Sequence, residues 1–125
     1  GFVAWCYWVA GCDDPSGLNY NGQGYTGTLL SHGVHISANQ VVPGDVVVYG
    51  GGTGEHTALI IDVDANGNIL TVSNGEEGDP SWVWVNAPKN PKPSEAPVQA
   101  VDGRQPQTFL RFSTAQTHAL QVLPA

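Results

Sequence analysis

At 125 residues the chain has room for one domain with a single modest core. Hydrophobic residues make up 41%, and 16 glycines with nine prolines call for many turns and short, sheet-forming elements. Four Lys and Arg against eleven Asp and Glu give a formal charge of -7, which excludes phosphate-driven nucleic-acid binding and adsorption to an anionic membrane.

No apolar run approaches the ~20 residues of a membrane span, so no membrane insertion is expected, and no signal-peptide pattern is present. Cys6 and Cys12 are the only cysteines. Two thiols make no disulfide framework, and a structural zinc wants about four ligands, so neither a metal nor another cofactor is expected. The sequence contains no Met, and Gly1 is therefore read as lying inside a longer polypeptide.

In chain order, residues 1–11 read as a helix. Phe2, Val3, Cys6, Val9 and Ala10 recur at three- and four-residue spacing, and Gly11 suits a C-terminal cap. The density of aromatics predicts burial on most sides, with packing roles for Trp5 and Trp8 and cleft lining as their alternative. Residues 13–25, rich in Asp, Asn, Pro and Gly, form a surface loop that carries Tyr20 and Tyr25. A short helix follows, with Thr26 as its N-cap and Gly33 past its end. His32 and His35 fall in the connector beyond and read as exposed polar residues.

The organising stretch runs from Pro43 to Val63. The Pro43-Gly44-Asp45 turn launches a strand over Val46 to Tyr49. A glycine-rich loop follows, and a second strand opens on His56 and runs to Val63. A histidine at the mouth of a buried strand either caps that strand at the rim or serves as a base, its free pKa of about 6.5 suiting neutral pH. Asn66-Gly67 supplies a hairpin turn into a third strand, Asn68 to Ser73. Ser81 to Val85 alternates as a fourth, with Trp82 and Trp84 in packing roles. Residues 86–107 hold five of the nine prolines and read as an irregular crossing. Thr108 to Phe112 is the fifth strand. The domain is thus expected over residues 1–112, with 113–125 as a tail or linker.

A helix followed by an antiparallel meander, with His opening the second strand, resembles the papain-like NlpC-type and CHAP cysteine peptidases of bacterial cell walls, especially the modules of phage lysins and tail proteins. The resemblance is carried by Gly1-Phe2-Val3-Ala4-Trp5-Cys6-Tyr7-Trp8, Gly24-Tyr25-Thr26-Gly27-Thr28-Leu29-Leu30, Pro43-Gly44-Asp45-Val46-Val47-Val48-Tyr49 and Glu55-His56-Thr57-Ala58-Leu59-Ile60. Phe109-Leu110-Arg111-Phe112 fits as well. It implies an α+β fold, an N-terminal helix packed on a small antiparallel sheet of about five strands.

The resemblance also implies a function: cleavage of amide bonds in bacterial peptidoglycan by Cys, His and a polar residue, without a cofactor. The protein would be phage-encoded, held in the host cytoplasm before lysis or carried on the virion, and would act at the bacterial cell wall. The family's nucleophile matches a position just upstream of Gly1, with Cys6 as the fallback inside the chain. His56 matches the base. Asn74 or a near neighbour matches the residue that orients it, with Glu76 as substitute. Tyr20, Tyr25 and Glu76 would line the substrate cleft. The alternative is a catalytically inactive peptidase fold that binds cell wall or serves as a structural module of a virion.

Overall fold

The computed structural model describes residues 1–73, 81–85 and 106–121. Helix α1 spans Phe2–Val9 and helix α2 Thr26–His32. The strands are β1 Val34–Ile36, β2 Val46–Tyr49, β3 His56–Val63, β4 Ile69–Ser73, β5 Ser81–Val85 and β6 Pro106–Arg111. They form one sheet in the order β1-β6-β2-β3-β4-β5, and every neighbouring pair runs antiparallel. The expected α+β class holds, and all five expected strands are present. The addition is β1, three residues that pair with β6 through His35 opposite Leu110.

Helix α1 buries one narrow stripe. Val3 and Tyr7, four residues apart and so on one face, are buried against the sheet. Trp5 and Trp8 lie on the other side, 45% and 38% exposed. That corrects the expectation of a helix buried on most sides, because phase, not aromatic content, decides which residues meet the sheet. The helix ends as its glycine predicts. Gly11 takes φ 79°, the Gly11 N–H donates to the Trp8 carbonyl and the Cys12 N–H to the Tyr7 carbonyl, each at 3.0 Å. This pair of bonds is the Schellman closure, which favours glycine at the left-handed position. The N-cap of α2 is Tyr25 instead of Thr26: its N–H donates to Thr28 Oγ1 at 2.9 Å.

Strand β2 is buried from Val46 to Tyr49, as a central strand covered on both faces should be, at about 1.5–3 kcal/mol per fully buried aliphatic side chain. Its alternation splits the core. Val46 and Val48 face Val3, Tyr7 and Leu29 of the helices, together with Leu110 and Phe112. Val47 and Tyr49 face the other way and pack with Val41, Ala58, Ile60, Ile69 and Phe109.

The Pro43-Gly44-Asp45 turn is a clasp. The buried Asp45 carboxylate accepts from Arg111 Nε and Nη2, both at 2.9 Å, and from the Val42 N–H. Arg111 Nη2 also donates to the Gln40 carbonyl. A two-pronged guanidinium–carboxylate pair fixes direction as well as distance, so it locks β6 beside the start of β2. Tyr7 Oη donates to the Gly44 carbonyl at 2.6 Å and hangs α1 on the same turn.

Residues 113–121, expected as part of a tail, double back along the C-terminal end of α1. The Thr117 and His118 N–H groups donate to the Gly11 carbonyl, and the Gln121 N–H donates to that of Val9. Cys12 pairs with Gln116 in an isolated antiparallel bridge. No helix among the described residues is long and apolar enough to cross a membrane.

Candidate functional site

The first turn of α1 opens on two adjoining clefts, and the loop over residues 14–24 shapes both. Asp14 organises that loop. Its buried carboxylate accepts the N–H groups of Ser16 at 2.9 Å, Leu18 at 3.2 Å and Tyr20 at 2.8 Å. Held this way, Asn19 and Tyr20 both adopt left-handed backbone, φ 51° and 54°, a conformation that costs a non-glycine residue about 1–2 kcal/mol. Tyr20 Oη donates to the Cys12 carbonyl at 2.6 Å. Burial first, then the Asp14 carboxylate, pushes its phenol up to about 12.

The larger cleft, about 280 Å³, is lined by Gly1, Ala4, Ser16, Tyr25, Thr26 and Thr57 among others. Thr28 Oγ1 donates to Ser16 Oγ at 2.8 Å and ties the loop to α2. Tyr25 stands on the rim, 60% exposed. The second cleft, about 220 Å³, lies beside Gly1, Ala4, Trp5, Asp14, Tyr20 and Gly24. Tyr20 and Tyr25 thus reach neighbouring clefts that share the start of α1.

His56 sits differently. It pairs with Tyr49 across β2 and β3, and the two rings lie 5.6 Å apart at 46°. Residues opposite one another in an antiparallel pair share a face, and so do alternate residues along a strand. Tyr49, Ala58 and Ile60 all belong to the core on the side away from the helices. Thr57, the next residue, lines the larger cleft and faces α1. The imidazole and the start of α1 therefore lie on opposite faces of the sheet.

The loop before His56 is pinned at both ends. The Glu55 N–H donates to the Tyr49 carbonyl at 2.9 Å, and Gly50, Gly52 and Gly54 all have positive φ. A Cβ on Gly54 would collide with the Thr26 side chain, so the loop rests on the first residue of α2.

Cys6, the fallback nucleophile, lies beyond the first turn of α1, in a different cavity. That cavity of about 200 Å³ also holds Cys12, Tyr7, Leu59 and Thr114. Burial pushes both thiols up, the reverse of what an activated thiolate needs, and Cys12 Sγ is directed to the Thr114 carbonyl at 3.4 Å. Asn74 and Glu76 lie outside the described residues. Among the described residues no group of three or more His, Cys, Asp or Glu side chains could hold a metal ion.

Two residues that shape the clefts escape a reading by motif. Asp14 looks like an ordinary turn residue before Pro15, and its three N–H partners depend on how the loop closes. For Trp5 the expected packing role gives way to its alternative, cleft lining, because the Val3–Tyr7 stripe turns it outward. Comparison with protein-family models, with curated proteins and with solved structures gave no match.

Proposed function

We propose that the chain is part of a papain-like peptidoglycan hydrolase domain of the NlpC or CHAP type, a phage-type cysteine amidase or endopeptidase. The observation that carries this reading is the cleft at the start of α1, beside the strand that His56 opens. The start of a helix is where a thiolate gains from the dipole and from N–H groups with no partner inside the helix. On this reading the thiol comes from just upstream of Gly1 and attacks an amide carbonyl. The leaving amine takes a proton from His56, and water then releases the acyl group. Asn74 orients the imidazole. Tyr25, Thr26 and Thr57, neutral donors and acceptors, hold the peptide.

The placement of His56 sets a requirement. For catalysis the end of β3 has to present the imidazole to the helix side, which requires the Glu55 N–H to leave the Tyr49 carbonyl. The same placement favours a second reading, in which the fold binds cell wall and does no chemistry. The imidazole then stays beside Tyr49 as part of the packing.

Purified cell walls separate the two. The longer polypeptide, with its upstream segment, should release new amino groups, and His56→Ala should abolish release at a stability cost of about 1 kcal/mol or less. Leu59→Ala should cost about 2–5 kcal/mol. Binding to walls without amine release, or a His56→Ala loss as large as that of Leu59→Ala, would leave the second reading in place.

A further inference from the structure

The smaller of the two clefts is furnished unlike the larger. It carries two aromatic rings from separate elements, Trp5 of α1 and Tyr20 of the 14–24 loop. Both are braced. Phe2 stacks on the indole with ring centroids 6.3 Å apart at 27°, and Trp5 stays 45% exposed. Tyr20 is held at three points: its N–H by Asp14, its hydroxyl by the Cys12 carbonyl and its ring edge-on to His118 at 6.4 Å. The same cleft is lined by Gly1, Ala4, Gly22 and Gly24, residues small enough to let a ligand approach the backbone. At Gly22 even an added Cβ would meet nothing.

We propose that this cleft binds a neutral pyranose unit of a glycan, with Trp5 as the stacking platform. A sugar ring offers a face of C–H groups, edge-positive and suited to the electron-rich face of an indole, and a rim of hydroxyls for exposed peptide groups. Rings fixed beforehand lose little freedom on binding, so their apolar area is not offset by ordering. The volume, about 220 Å³, admits one such ring. Charge selects against the other flat ligands. Asp14 lines the cleft, Asp13 adjoins it in sequence and the whole chain carries -7, so a base attached to phosphate is repelled where an uncharged sugar is not. The choice of glycan rests on the peptidoglycan reading: the sugar strand would lie along α1 while its peptide enters the larger cleft.

The test is titration of the full chain with an N-acetylglucosamine oligosaccharide, followed by indole fluorescence and by chemical shifts. Saturable binding is expected, with the Trp5 indole shifting most. Trp5→Ala should weaken it at least about tenfold, Trp5→Phe by less, and Trp8→Ala not at all, since Trp8 is exposed on the same helix but does not line the cleft. Melting curves show which variants fold, and Trp5→Phe keeps an aromatic ring on Phe2 if the alanine variant does not. Absence of saturable binding overturns the proposal. So does equal weakening by Trp5→Ala and Trp8→Ala, or capture of an aromatic or proline-rich peptide in place of the sugar. Amine release from glycan-free wall peptides reports on the hydrolase reading alone, and its failure leaves saccharide binding standing.

Discussion

At its C-terminal end α1 is tied off. Gly11 and Cys12 donate back into the last turn, the Gly11 carbonyl accepts from Thr117 and His118, and Tyr7 anchors to the Gly44 carbonyl. Toward its first turn the same helix lines two clefts and leaves Trp5 45% exposed. One end of the helix is thus held by main-chain bonds, while the other faces the clefts. Substitutions should therefore cost stability at one end and binding at the other.

The largest effect belongs to Gly11→Ala. A left-handed backbone costs an L-residue about 1–2 kcal/mol, and an added Cβ would lie 2.5 Å from the His118 carbonyl oxygen. Urea unfolding should show a loss of about 2 kcal/mol or more. A loss below about 0.5 kcal/mol would mean that the 113–121 segment yields easily and that this end is not closed. Tyr7→Phe comes next. It keeps the ring edge-on to Phe112 at 5.8 Å but strips the Gly44 carbonyl of its donor, for an expected loss of about 1–2 kcal/mol.

At the cleft end, Trp5→Ala should cost no more than about 1 kcal/mol, since the half-exposed indole loses only its stack on Phe2. A melting temperature that falls as far as for Tyr7→Phe would make Trp5 a packing residue and erase the contrast. The smallest effect at neutral pH is that of phenol ionisation, which is nil there and grows with alkali. Tyr20 ordinarily titrates near 10 and is pushed up to about 12 in the fold, by burial and then by Asp14. The folded state thus holds this proton more tightly than the unfolded state. The stability it contributes is complete below pH 10 and is lost as pH rises through about 12. Burial and Asp45 push the Tyr7 phenol in the same direction. Tyr20→Phe should flatten part of the alkaline fall in stability, and a fall identical to that of the unmodified chain would show that the Tyr20 hydroxyl is free in solution.

Much of this fold is legible in the sequence because its signals are local. Asn66-Gly67 marks the β3–β4 hairpin, and Gly11 ends α1 as a left-handed cap should. Strand β1 was not legible, since Val34-His35-Ile36 is too short to show alternation and its partner lies some seventy-five residues away in β6. The path of residues 113–121 was hidden for a related reason: main-chain bonds hold it, and side-chain patterns do not record them. The face of His56 could not be chosen either. Ala58 and Ile60 on one side and Leu59 and Ile61 on the other are all apolar, so the strand carries no alternation to say which side meets the helices.

Strand β6 lies inside the sheet, between β1 and β2, although it comes last in sequence among the described strands. On a ribosome, β2, β3 and β4 can zip together as a meander as soon as they emerge. The flank of β2 then stays bare, and β1 has no neighbour at all, until residue 111 has been added. With Val46 and Val48 on one face and Val47 and Tyr49 on the other, that bare flank is an unpaired main-chain edge between two apolar faces, open to pairing with another chain. Nascent or prematurely stopped chains lacking residues 106–111 should therefore be the species that chaperones meet, and arrival of those residues the event that covers the edge.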